Sequence, residues 1–337
     1  MINKNITKYL LLGIFVFLFA CKPDGESDKQ QTTLVEKIAV PKFNADSAYQ
    51  FIQSQVDFGP RVPNSKEHMA CGKWLESTLK RYTNFVYTQE GNAIRYDGQP
   101  LRFKNIIARF NPERRRRILL CAHWDTRFMA DQDSTRQKEP IDGANDGGSG
   151  VGVLLEIART ISQDSIQLGI DIILFDAEDQ GQPRDGGGFP LQDHTWCLGS
   201  QYWSNNTIPK NYKANFGILL DMVGDKDAVF TLEGTSTYFA PGVIDKIWKT
   251  GQKLGYNGYF VNNETDPLTD DHLYINQILK RVPTIDIIHR NPDSDQFASS
   301  WHTHNDNMDR IDKNTLAAVG NTVLTTLYYE AVGKQYY

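Results

Sequence analysis

Cysteine is scarce in this chain: four residues in 337, none at the spacing of a zinc finger. A basic excess is also missing. The net charge is -5, which argues against a nucleic-acid partner. No apolar run is long enough to span a bilayer comfortably; the longest, residues 10–20, falls short. No internal repeat is visible, and no Pro/Gly linker divides the body of the chain. The glycines of Gly143-Ala144-Asn145-Asp146-Gly147-Gly148-Ser149-Gly150 are not followed by Lys-Ser/Thr, so they do not form a phosphate-binding P-loop. What remains is ordinary globular composition, 40% hydrophobic and 23% charged, in enough chain for one large or two medium domains.

The first residues read as an export leader. Lys4 and Lys8 precede the short apolar stretch, which ends Leu18-Phe19-Ala20-Cys21. That ending resembles a bacterial lipobox, which implies cleavage before Cys21 and lipid attachment to its sulfur. Residues 1–20 are therefore expected to be a lipoprotein signal peptide and residues 21–40 a polar, flexible tether. The mature protein is expected to be exported and held to a membrane by acyl chains, facing the periplasm or the cell exterior. Cys71, Cys121 and Cys197 are left, an odd number that permits at most one internal bridge. Cys71 with Cys121 is a candidate pair.

Residues 41–337 read as a single catalytic domain. A helix is expected from Asp46, with that acid as its cap, and another over residues 65–82. Residues 85–88 and 93–96 pattern as two short strands. Residues 101–110 and 118–123 pattern as a hairpin, with Arg114-Arg115-Arg116-Arg117 as its solvated tip. Helical spacing follows over residues 150–161, and a continuous apolar strand over residues 170–175. A helix at 199–205, a strand at 216–222, a helix at 242–254, a strand at 282–288 and a helix at 313–332 complete the pattern. Such alternation predicts an α/β fold: a central twisted, mixed, mostly parallel sheet flanked by helices on both faces. Ligands bind such sheets beyond the C-terminal ends of the strands.

The acids fall there. His123-Trp124-Asp125 ends one strand, Glu178-Asp179 follows the next, and Asp221 ends another. Asp146 precedes a helix, Asp270-Asp271-His272 precedes a second, and Trp301-His302-Thr303 lies in a late loop. Singly, Asp146 is a helix cap, Asp221 a turn residue and His302 a loop histidine. Together, at the strand ends of one sheet, they make a set of oxygen and imidazole donors suited to zinc.

The ordered set His-x-Asp, Gly-Ala-x-Asp, Glu-acid, Leu-Asp, Asp-His and His-Thr resembles the M28-type zinc aminopeptidase clan. Within it the chain is most similar to the glutaminyl-peptide cyclotransferases of the animal and bacterial type II class. The resemblance implies one zinc per chain on Asp146, Asp179 and His302, and Glu178 as proton shuttle. It places Asp221 and Asp270 in a carboxyl network sharing a proton, and Trp301 and Trp196 along the substrate pocket. The implied substrates are peptides or proteins with N-terminal glutamine, which become pyroglutamate with loss of ammonia. Two departures stand out: Asp179 replaces the animal Glu, and Asp286 occupies a histidine position of the outer network. An exported M28-type aminopeptidase is the alternative, with His123 and Asp221 joining the ligands of a two-metal site. A binding protein that has lost catalysis is a third reading.

Overall fold

Helices start here where a side-chain oxygen accepts a free amide hydrogen. Asn44 accepts from the Ser47 amide and opens α1 (Ala45–Val56); Ser65 accepts from the His68 amide and opens α2 (Lys66–Lys80). The cap of α1 is therefore Asn44, and the expected cap Asp46 lies in the first turn. The computed structural model describes residues 38–337; the leader, Cys21 and the tether up to residue 37 lie outside the described residues.

The chain continues with β1 (Val86–Ile94), β2 (Pro100–Phe110), β3 (Arg117–His123), α3 (Gly148–Ser162) and β4 (Gly169–Phe175). Next come α4 (Leu198–Asn205), β5 (Phe216–Asp221), β6 (Phe230–Glu233), α5 (Gly234–Phe239) and α6 (Pro241–Lys253). The last elements are β7 (Phe260–Thr265), α7 (Asp271–Tyr274), β8 (Thr284–Ile288) and α8 (Lys313–Ala331). Six strands form one sheet in the order β1-β2-β4-β3-β5-β8; β6 and β7 make a small parallel pair beside it. The β1/β2 and β2/β4 pairings are antiparallel, and every pairing from β4 through β8 is parallel. This is the mixed, mostly parallel α/β sheet that the sequence pattern predicts.

Two expectations fail at its antiparallel edge. Residues 86–94 form one strand, paired throughout with β2, instead of two short ones. β2 and β3 are not a hairpin, because β4 lies between them, antiparallel to β2 and parallel to β3. The connection from β2 to β3 crosses the end of β4. There Arg117 is buried rather than solvated, paired with Asp171 of β4 and donating to the carbonyls of Phe110 and Arg114. Only Arg114, Arg115 and Arg116 are exposed.

Alternate residues of each strand face opposite layers. Ile118, Leu120, Ile170, Ile172, Ile218 and Leu220 pack with α1, α3, α6 and α8. Leu119, Cys121, Ile173, Phe175 and Leu219 pack on the other face, against Trp203 of α4, Tyr212 and Ile275. The chain approaches itself closely at Gly150, where an added Cβ would lie 2.1 Å from the Leu220 carbonyl oxygen. That contact lets the start of α3 rest on the end of β5 and carries Asp146 toward Asp221. Cys71, Cys121 and Cys197 are all free, so the candidate Cys71–Cys121 bridge is absent.

Candidate active site

The parallel strands β3, β4 and β5 end along one edge, and the acids gather beyond it. After β4 the backbone turns through Ala177, which adopts a left-handed conformation (φ 55°). Two buried aspartates hold this turn. Asp176 accepts from the Ala177 amide at 2.8 Å and the Lys104 amide at 2.6 Å, and lies 2.9 Å from His68 Nε2. Asp125 accepts from the amides of Glu178 at 3.0 Å and Asp179 at 3.2 Å, and from Gln180 Nε2 at 3.0 Å. Asp306 does the same for the other acidic segment, accepting from the Asn145 amide at 2.7 Å and the Asp146 amide at 3.0 Å.

Asp146, Asp179 and His302 converge, with donor atoms within 4.8 Å of one another. All three are buried, yet no hydrogen bond reaches either oxygen of Asp179 or Oδ2 of Asp146. Unpartnered buried carboxylate oxygens are costly unless a cation or a donor meets them. His302 Nε2 points between the two acids, 3.1 Å from Asp179 Oδ1 and 3.7 Å from Asp146 Oδ2. Its Nδ1 is 2.9 Å from Asp131 Oδ1, the arrangement that orients a metal-binding imidazole and leaves Nε2 as ligand. These residues fit a zinc ion.

A second set, His123, Asp146 and Asp221, also has its donor atoms within 4.8 Å. These groups are partners to one another: His123 Nε2 lies 3.0 Å from Asp146 Oδ1 and 3.2 Å from Asp221 Oδ1. Burial lowers the His123 pKa, but Asp125, Asp146 and Asp221 outweigh it and hold the imidazole well above its usual value. Burial pushes Asp221 up to about 7, opposed by His123 and reinforced by Asp146 and Asp270. Burial likewise raises Glu178 well above the usual carboxyl range; His123 opposes this, and Asp270 and Asp179 add to it.

Asp221 and Asp270, expected to share a proton, both line the same cavity. Asp221 pairs with His123, and donor atoms of Asp270, His272 and Asp286 on β8, one from each, lie within 4.8 Å of one another. A carboxyl at Asp286 sets two buried acids close together, where both do not readily ionise.

The donor sets open into a cavity of about 770 Å³ lined by Glu178, Asp270, Trp196 and Trp301 among others. Trp301 stacks on His302 with ring centroids 3.8 Å apart, and Trp196 stacks at 5.9 Å. A larger groove of about 1160 Å³, between α2 and the β1–β2 hairpin, holds none of these donors. Asp146, Glu178, Asp179, Trp196, Asp221, Asp270, Trp301 and His302, all nominated from the sequence, line this cavity. Missed were Arg127, Asp131, Asp306 and Cys197. Arg127 is fully buried: it donates to the carbonyls of Asp179 and Gly181, pairs with Asp131 and lies 4.5 Å from the Trp196 ring. None of the four sits in a spacing motif, so only their contacts reveal them.

Comparison with known proteins agrees with this geometry. Residues 105–327 match the model of peptidase family M28. The chain belongs to peptidase family M28. Among solved structures, this M28 protein is similar to Bacteroides thetaiotaomicron glutaminyl cyclase bound to N-acetylhistamine. The two are 52% identical with a TM-score of 0.82, covering 86% of this chain and 99% of that one. A Zn-dependent exopeptidase from Parabacteroides distasonis ATCC 8503 is 49% identical with a TM-score of 0.84, over the same shares of each chain. Aminopeptidase YwaD of Bacillus subtilis is 29% identical over 202 residues, 57% of this chain; the match spans only 38% of YwaD.

Proposed function

We infer that this M28 protein is a glutaminyl-peptide cyclotransferase, which converts N-terminal glutamine of peptides or proteins to pyroglutamate and releases ammonia. The observation that carries the reading is the cluster of donors lining the cavity. There a set of unpartnered donors sits beside a buried Glu178, and two indoles flank His302. The 52% identity to a glutaminyl cyclase along nearly all of that chain supports it.

Asp146, Asp179 and His302 would hold one zinc per chain. When bound, the ion supplies Lewis acidity toward the glutamine side-chain amide. Trp301 and Trp196 wall the pocket and hold the side chain in place, keeping the free amine near the amide carbon. Glu178 accepts a proton from the α-amine. The amine nitrogen bonds to the side-chain carbonyl carbon, and the bond from that carbon to its amide nitrogen breaks. Glu178 returns the proton to the departing nitrogen, which leaves as ammonia. Burial suits Glu178 to both roles, because a carboxyl raised above its usual range takes a proton more readily than a free carboxylate does.

The mutual pairing of the second donor set supports one zinc rather than two. His123 Nε2 sits between the two acids, 3.0 Å from Asp146 Oδ1 and 3.2 Å from Asp221 Oδ1. An M28-type aminopeptidase is the competing reading, and the His123, Asp146 and Asp221 set is what favours it. Metal content and a two-substrate assay decide between them. The cyclase reading expects one zinc per chain and ammonia from an N-terminal Gln peptide. Two zinc ions with hydrolysis of a leucine anilide would replace it with the peptidase.

We further propose that the protein is an exported lipoprotein anchored through Cys21. The lysines, short apolar stretch and Leu-Phe-Ala-Cys ending of residues 1–21 support this. Labelling of wild-type cells with a fatty-acid analogue should mark the protein, and C21S should abolish the mark. A labelled C21S protein would sink the anchor.

A further inference from the structure

Glu178 is held by one side chain that the reaction above leaves unexplained. Cys197 is fully buried, and its Sγ lies 3.2 Å from Glu178 Oε1. Among the described residues this is the side-chain hydrogen bond made to that carboxylate. The backbone fixes the approach. The Cys197 amide donates to the Glu178 carbonyl at 2.9 Å, and the Leu198 amide to the Ala177 carbonyl at 3.1 Å. The loop end is thus zipped to the strand end that carries Glu178. Cys197 stands immediately before α4 in a left-handed conformation (φ 58°, ψ 36°). A residue with a Cβ is disfavoured there by about 1–2 kcal/mol, and glycine would sit there without strain. Glycine would bring no donor.

The two oxygens of Glu178 therefore differ. Oε1 faces the thiol; Oε2 faces away from it, with the nearest imidazole nitrogen, His123 Nδ1, at 4.0 Å, beyond hydrogen-bond reach. Burial, with Glu178 alongside, pushes the thiol well above its usual pKa, so the sulfur keeps its hydrogen. A thiol is a weak donor, able to set a direction without compensating the full charge of the carboxylate.

We propose that Cys197 is a positioning residue: its S–H donates to Oε1, fixes the plane of the Glu178 carboxylate, and leaves Oε2 as the oxygen that exchanges a proton with the substrate. This rests on the reading of Glu178 as the proton shuttle. C197A removes the donor and C197S restores one. For C197A we expect kcat on an N-terminal Gln peptide to fall about tenfold, the effect of one hydrogen bond to a charged group. KM should stay within about twofold, and zinc content and melting temperature near wild type. For C197S we expect kcat within about threefold of wild type. A second readout does not need activity. The infrared S–H stretch of Cys197, isolated as the difference between wild type and C197A, should shift to higher frequency in E178Q as the charged acceptor is lost. Wild-type kcat in C197A, equal losses in C197A and C197S, or an S–H band unmoved by E178Q would each overturn the proposal. A wild-type protein that releases no ammonia from the peptide would overturn the cyclase reading instead, and the S–H band would still decide the contact.

Discussion

At the level of single residues, the site divides labour between neighbours. Glu178 and Asp179 adjoin in the chain, yet Asp179 sets Oδ1 3.1 Å from His302 Nε2 beside Asp146, while Glu178 lines the cavity next to Cys197. E178Q should cut turnover by about 10²–10⁴-fold, the usual weight of a general acid–base group, with zinc content by mass spectrometry unchanged. Loss of the metal along with activity would mean that Glu178 is a ligand. Asp131 acts one step back. With its carboxylate against His302 Nδ1, it fixes the ring so that Nε2 faces the acids. D131N should weaken zinc binding by roughly 10–100-fold in a chelator competition, a typical cost of losing such a partner. Unchanged affinity would remove that role. Glu178 and Asp179 were legible because a buried strand announces its end in sequence. Asp131 was not, because its partner lies 171 positions later and no local pattern joins them.

At the level of elements, strand ends and helix starts place these groups. The segments expected for α3, α4, β5, α6, β8 and α8 match the observed elements to within about two residues, since apolar periodicity is a local property. The supposed hairpin fails because strand order is not local: β4, some fifty residues later, takes the place beside β2 through the Ile106–Leu174 and Arg109–Asp171 registers. Asp171 then draws Arg109 and Arg117 to itself and buries a charge that the sequence left in solvent. The contact of α3 with β5 is just as specific. G150A would drive a methyl group into the Leu220 carbonyl, and overpacking of this kind costs about 1–3 kcal/mol. Urea unfolding should show that loss, and a wild-type midpoint would mean that α3 can shift without penalty.

At the level of the whole molecule, stability should respond to metal and to alkali. Zinc held by the folded chain but by few groups of the unfolded one adds to stability. Treatment with a chelator should lower the melting temperature, and added zinc should restore it; an unchanged melting curve would argue against a tightly held ion. Burial pushes the Cys71 thiol up to about 12 from 9.0, against the opposing pull of Arg61. Between those values the unfolded chain loses that proton and the folded chain keeps it. The contribution is therefore complete below pH 9 and is lost as the pH rises toward 12. Denaturant unfolding at about pH 8 and about pH 10.5 should show wild type losing more stability than C71A across this interval. Equal losses would show that Cys71 does not carry the effect. The sequence by itself determined the layered α/β architecture and the acids at its strand ends, because side-chain period and run length are written residue by residue. Tertiary structure alone decided that β4 enters between β2 and β3, that Asp270 gathers with His272 and Asp286, and that Cys197 touches Glu178. Each is a contact between segments far apart in the chain, chosen by packing and by which buried charges can be partnered.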